Sequence, residues 1–368
     1  MTEINNLKQI SIALTAQMRG QVSVHIQIPQ MAVTSGQKQS CSRAQYPTPC
    51  RSAYSCYCRS MESSRLPRFK RASAVASIEI SERDREIIRL VRRFRFVRSS
   101  HICSLIPGSA QQLLRRLKLL YHHGFLERPR AQIDYYHKGG SRHIVYGLGN
   151  KGAAFLKRRE LDPGLGRVRW GEKNRAVGRV FLEHALLVSD VMVAIELACR
   201  RTGIRLLTAH ELAVPDNSTG ERRPLRWQVK ISNRLRLGVI PDYVFALDFK
   251  DQSAADKRAF FFLEADRATM PVIRKNLSQT SFYRKLRAYE ATWSQSIHQT
   301  QFGFHRFRVL TVTTSAERVQ SLVNACSKLE RGQGLFLFAD RTVLEEPDDV
   351  LSTIWHTGKE GESTSMLD

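Results

Sequence analysis

From Ile78 onward the apolar residues recur at intervals that name their elements. Ile87, Leu90, Val91 and Phe94 are spaced by threes and fours, which predicts an amphipathic helix over Glu82–Arg93. Ser81, with Asp84 three residues on, predicts its N-cap. A second short helix, Ser99–Leu105, buries Ile102 and Leu105 and ends at Pro107-Gly108. A third, from about Ser109 to His123, turns Leu113, Leu114, Leu117 and Leu120 inward and Gln111, Gln112, Arg115, Arg116 and Lys118 outward; Gly124 stops it. His122 and His123 then lie where a positive charge complements the helix dipole. Two alternating runs, Gln132–His137 and Arg142–Leu148, flank Lys138-Gly139-Gly140-Ser141 and predict a hairpin. Asn150 is placed to cap a closing helix over Lys151–Arg159, and Asp162–Gly166 reads as a linker. Three helices, a hairpin and a final helix in this order predict a winged helix-turn-helix over 79–160.

The pattern then changes to α/β. A long amphipathic helix over Asn174–Arg201, carrying Val180, Leu182, Leu186, Leu187, Met192, Ile195 and Leu197, precedes strand-like runs at Arg205–Thr208, Trp227–Ile231, Tyr243–Asp248 and Ala259–Ala265. A helix over Leu277–Trp293, a strand over Arg306–Thr313, a helix over Ala316–Leu329 and a strand over Leu335–Ala339 complete a mixed-sheet domain at 174–340. The polar, acidic stretch 345–368 is expected to fray as a flexible tail. Residues 1–77, rich in Ser, Gln, Thr, Pro and Arg, read as a disordered basic arm. Translation beginning later, for instance at Met61, is an alternative account of that arm.

Charge changes the picture from fold to partner. The 368 residues carry 58 Lys and Arg against 34 Asp and Glu, a formal +24 that favours polyanions. Residues 79–160 hold 18 basic and 7 acidic side chains, so the excess concentrates on the expected winged helix, as neutralisation of a phosphate backbone requires. Gln111 and Gln112 suit adenine edges, Arg115 and Arg116 guanine or phosphate; Lys118, with Lys138 and Arg142 at the hairpin, supplies further cationic contacts. No apolar run approaches the ~20 residues of a membrane span, so a cytoplasmic protein is expected, with no membrane partner. The seven cysteines, among them Cys41, Cys50, Cys56 and Cys58, include no CxxC pair, which argues against zinc.

The second half carries one acidic constellation. Pro241-Asp242 opens one hydrophobic run, and Glu264-Ala265-Asp266 closes another about twenty residues on. In neighbouring strands, Asp242, Glu264 and Asp266 would meet at one sheet edge and suit Mg²⁺, the one cofactor suggested, which activates water for phosphodiester cleavage. Lys285 or Lys275 would supply the cation, and Glu183, His184 or Asp190 would approach from the long helix. The plainer alternative is solvated strand ends paired with Arg267 or Arg274.

This arrangement resembles the PD-(D/E)xK, restriction-endonuclease-like superfamily, whose catalytic set would fall on Asp242, Glu264, Asp266 and Lys285. Asp266 stands where that superfamily places its lysine. Asn150-Lys-Gly-Ala, Glu183-His184, Pro241-Asp242, Phe262-Leu-Glu264-Ala-Asp266-Arg267 and Lys285-Leu-Arg-Ala-Tyr289, in this order, resemble the replication-relaxation family of plasmids and integrative elements. The resemblance implies binding to double-stranded DNA in replication, relaxation or mobilisation, with a second copy of the chain or other replication or mobilisation proteins as further partners. A metal-dependent endonuclease or nickase is the first alternative, and a winged-helix transcriptional regulator with a small-ligand domain the second.

Overall fold

Ser81 and Asp84 exchange bonds in a capping box, each side chain accepting from the other's backbone N–H, and so open α1 (Glu82–Phe94) as the sequence predicts. The computed structural model describes residues 67–73, 77–133, 143–160, 165, 168–212, 225–249, 257–345 and 349–368, with backbone alone at 159, 160 and 210. Nearly all of the expected N-terminal arm, its four cysteines, the hairpin tip with Lys138 and Arg142, and most of the 162–166 linker lie outside the described residues.

After α1 come α2 (Ser99–Leu105) and α3 (Ala110–His122), joined through Gly108 at φ +123°. That conformation is open to glycine, which lets α3 leave the turn at a new angle. Three short strands, β1 (Phe96–Arg98), β2 (Leu126–Glu127) and β3 (Val145–Leu148), form an antiparallel sheet with β3 central. The strand expected from Gln132 does not begin there: Pro129 leads into a 3₁₀ turn over Arg130–Gln132. The Gln132 side-chain amide instead pairs with β3, donating to the Val145 carbonyl at 3.0 Å and accepting its N–H at 2.8 Å, and residues 134–137 of the expected run lie outside the described residues. Asn150 does not cap its own helix, α4 (Asn150–Glu160); its side chain accepts from Gly171 and donates to Glu172, tying α4 to α5 (Trp170–Arg175).

Two further expectations about helices are corrected. The single helix over Asn174–Arg201 is broken, because Gly178 takes an extended conformation and caps a new helix, α6 (Arg179–Thr202). Val180 is consequently exposed, and Leu114 of α3 also faces solvent. His122 is buried and accepts the Ala72 N–H through Nδ1. Burial, then the charge of Arg128, push its pKa down to about 4, so it is neutral and offers no charge to the dipole.

The larger sheet has seven strands in the order β12-β11-β10-β9-β8-β7-β4. These are β4 (Arg205–Thr208), β7 (Tyr243–Asp248), β8 (Arg258–Ala265), β9 (Phe307–Thr313), β10 (Phe336–Asp340), β11 (Trp355–Thr357) and β12 (Ser363–Thr364). The central pairs β8–β9 and β9–β10 are parallel and the others antiparallel, so the fold is a mixed α+β arrangement. One face packs on α6 through Leu187, Val191, Ile195 and Ala198, in a core continuous with that beneath α1–α3. The other face is covered by α8 (Phe282–Ser294) and α10 (Ala316–Cys326). A hairpin, β5 (Trp227–Lys230) and β6 (Arg236–Val239), adds to this second core, where Trp227 Nε1 donates to Thr292 at 2.7 Å. A four-residue helix, α7 (Ala209–Leu212), follows β4, and another, α9 (Ile297–Thr300), follows α8.

The expected acidic tail is corrected too. Residues 349–368 add β11 and β12 to the sheet and bury Val350, Leu351, Trp355 and Met366. At about 1.5–3 kcal/mol per buried apolar side chain, those four outweigh the polar composition around them.

Candidate functional site

Asp242 sits immediately before β7, where the antiparallel pairing of Tyr243 with Leu263 brings the start of that strand to the end of β8. Its N–H donates to the Leu263 carbonyl at 3.0 Å, and its Oδ2 accepts the Ala265 N–H at 2.8 Å. The remaining oxygen, Oδ1, lies 3.0 Å from Nε2 of His184 on α6. This hydrogen bond first, and the charge of Asp242 besides, raise the His184 pKa against the effect of burial. Of the three residues expected to approach from this helix, His184 alone reaches the acids. Glu183 pairs with Arg179 and Arg267, and Asp190 with Arg98.

Glu264 lies within β8 with its carboxylate buried. Lys285 Nζ is 2.5 Å from Oε2, and the Tyr289 hydroxyl donates to Oε1 at 2.5 Å. Residues four apart on α8 share a face, so one helix presents both partners to one carboxylate. Burial pushes the Glu264 pKa up, as does the nearby Asp242, against the opposing charge of Lys285. For Lys285 burial acts downward and is outweighed by Glu264 and Asp242, so the ammonium is retained. A cavity of about 240 Å³, bounded by Glu264, Lys285, Tyr289, Ser281 and Ile240, adjoins the pair. Lys275 is exposed in the segment before α8; the lysine at the acids is Lys285.

Asp266 turns away from this group. Its Oδ2 accepts from Arg318 Nε at 2.8 Å and from the Thr313 hydroxyl at 2.7 Å, and its Oδ1 accepts the Ala268 N–H at 3.2 Å. It joins the ends of β8 and β9 to the first turn of α10. The ion pairs formed are therefore Glu264 with Lys285 and Asp266 with Arg318, neither with Arg267 or Arg274. Sequence reasoning missed Tyr289, Thr313 and Arg318 as partners. The four-residue step from Lys285 to Tyr289 was the available signal for the first; the other two come from elements distant in sequence.

At the other end of the chain, Gln111, Gln112, Leu114 and Arg115 are exposed on α3 and Lys118 is half-buried. Arg116, expected among the outward donors, folds back instead. Its guanidinium pairs with the buried Asp84 and donates to the Glu79 carbonyl at 2.8 Å, which locks α3 to the start of α1.

The family model for replication-relaxation proteins matches residues 88–306, more than half of the chain. The chain belongs to the replication-relaxation family. No curated protein and no solved structure matches it. The replication-relaxation match takes in α2, α3, Asp242, Glu264, Asp266 and Lys285, and stops short of Arg318 and of β9–β12. Membership suggests a role in replication or relaxation. Among the described residues, no helix of this replication-relaxation protein is long and apolar enough to cross a membrane.

The acids of this family member do not fit a resident Mg²⁺. Asp266 is satisfied by Arg318 and Thr313, Glu264 by Lys285 and Tyr289, and Asp242 by a backbone N–H and His184. Among the described residues no three His, Cys, Asp or Glu side chains are disposed to hold a metal ion. A hard divalent cation needs several free oxygens, and here protein donors already take them.

Proposed function

We propose that the chain binds duplex DNA of a plasmid or integrative element in its replication, relaxation or mobilisation. In this reading residues 79–160 are a winged helix-turn-helix and α3 is its recognition helix. One observation carries the proposal. Gln111, Leu114, Arg115 and Lys118, at i, i+3, i+4 and i+7, share one solvent-facing side of α3. Amide and guanidinium donors around an apolar side chain suit base edges and a thymine methyl in a major groove. The surplus of basic residues in this segment supports backbone binding. Fluorescence anisotropy with a duplex library tests the reading: Gln111→Ala with Arg115→Ala should weaken binding, and unchanged binding would refute it.

For the second half we infer a restriction-endonuclease-like core, α6 to α8, supported by Asp242 and Glu264 on adjoining strands with Lys285 beside them. The engaged state of all three acids favours a non-catalytic role in holding DNA or assembling with partners. Supercoiled plasmid incubated with Mg²⁺ or Mn²⁺ decides between this and the nickase alternative. Nicking by the wild type but not by Asp242→Ala/Glu264→Ala would establish an endonuclease instead.

A further inference from the structure

The hairpin of β5 and β6 alternates strictly between core and solvent. Trp227, Val229, Leu237 and Val239 are buried in the second core, while Gln228, Lys230, Arg236 and Gly238 are exposed on the opposite side. The strand register sets Lys230 directly across from Arg236, and Arg234 is exposed in the turn between them. Residues 225–240 hold four basic side chains and no acidic one. Among the described residues Lys230, Arg234 and Arg236 form no ion pair. A depression of about 210 Å³ beside Lys230 also takes in Glu290 and Glu330, of which Glu290 lies 3.5 Å from Arg331. The hairpin is held firmly on α8. The Gln295 side chain, at the end of that helix, accepts the Lys230 N–H at 3.3 Å and donates to its carbonyl at 2.6 Å.

Like charges directly opposite on a β-ribbon repel across about 4.5–5.5 Å, so Lys230 and Arg236 cost the hairpin stability until an anion lies against them. An extended polyanion supplies that counter-charge to Lys230, Arg234 and Arg236 together. We propose that this face of the hairpin holds the phosphate backbone of duplex DNA, as a contact surface separate from α3. A two-stranded ribbon is narrow enough to follow a duplex groove. The face has no aromatic side chain, Trp227 being buried beneath it, so it offers no platform for the unstacked bases of a single strand. The inference rests on the reading that the chain binds duplex DNA. It gives the second half a contact of its own, which shares no residue with α3.

Anisotropy titrations of the full chain with a labelled duplex and an oligo-dT of equal length, over a series of salt concentrations, test it. Lys230→Gln/Arg236→Gln should lower the slope of log affinity for the duplex against log salt by about 1.8, at about 0.9 for each phosphate lost, and Arg234→Gln by about 0.9. Lys328→Gln/Arg341→Gln removes the same charge from two other exposed positions and should leave the slope as in the wild type. Relief of the cross-strand repulsion should keep the urea midpoint of the double hairpin variant at or above that of the wild type. An unchanged slope overturns the proposal, as does an equal fall in the Lys328/Arg341 control or a larger loss on oligo-dT than on the duplex. Gln111→Ala/Arg115→Ala separates the two contacts. A loss there with none at the hairpin refutes this proposal and leaves α3 standing; the reverse refutes α3 and leaves the hairpin.

Discussion

Lys285 holds its ammonium 2.5 Å from the carboxylate of Glu264, and the two differ in burial: Glu264 is 3% exposed and Lys285 35%. The pair is thus a deeply buried anion reached by a cation from the solvent side. Removing the cation leaves the anion without compensation, which in fully buried pairs costs about 3–5 kcal/mol.

With Lys285 partly solvated the cost is lower. Lys285→Ala should destabilise the chain by about 2–3 kcal/mol, read from the urea midpoint, and Glu264→Gln by less, since the Tyr289 hydroxyl can still donate to the amide oxygen. The double variant should recover part of the loss. Additive losses would show that the two side chains are not coupled.

His184 and Asp242 carry a pH dependence whose sign follows from the raised histidine pKa. A folded-state pKa above the unfolded one stabilises fully at pH below the unfolded value, and that contribution is lost as pH rises through the folded value. Asp242→Asn removes the carboxylate that raises it, so the His184 imidazole should titrate at lower pH by NMR. An unmoved titration would mean that Asp242 does not set it.

Arg115 and Arg116 are sequence neighbours with opposite expected phenotypes. Arg115→Ala should reduce the slope of log affinity for duplex DNA against log salt by about 0.9 if it holds one phosphate, with little change in stability. Arg116→Ala should leave the slope alone and lower stability, because Asp84 is buried beneath it and loses its cation. Equal loss of slope in both variants would contradict the structural assignment of Arg116.

Arg116 also shows where local reading stops. Helical spacing places its Cα toward the outside of α3, yet a long side chain can return over the helix edge to an acid on another element, and no period reports that. The elements with strong periodicity, α1, α3, β7, β8 and α8, were legible because burial alone dictates their faces. The break at Gly178 was not, since apolar residues continue through it at helical spacing. Trp355 and Met366 were missed because the apolar residues of 345–368 come in scattered pairs, Val350-Leu351, Ile354-Trp355 and Met366-Leu367, that carry no period; their value arises only against the sheet edge. The acids at Asp242 and Glu264 were found from strand ends, but the fate of Asp266 depended on Arg318, more than fifty residues away.

His122 supplies a test of the N-terminal strap. The Ala72 N–H reaches its Nδ1 at 3.1 Å, while Arg71 donates to the Tyr121 carbonyl at 3.0 Å and pairs with Glu127, so residues 71–72 are held against the end of α3 and the small sheet. With the folded pKa pushed down to about 4, the unfolded chain takes up a proton between its ordinary value near 6.5 and 4 that the folded chain refuses. Stability should therefore fall as pH drops through that window. Glutamine has a carbonyl that can accept the same N–H without titrating, so His122→Gln should flatten the decline, measured as urea unfolding free energy at pH about 7 and about 4.5. His101, pushed down to about 4 by burial near Asp190, contributes a second decline in the same window, so flattening is partial in the single variant and larger in His101→Gln/His122→Gln. A decline as steep in the double variant as in the wild type would place the acid sensitivity elsewhere, on Asp84, whose carboxyl is held below the usual range, against its burial, by hydrogen bonds from Arg116 and Ser81.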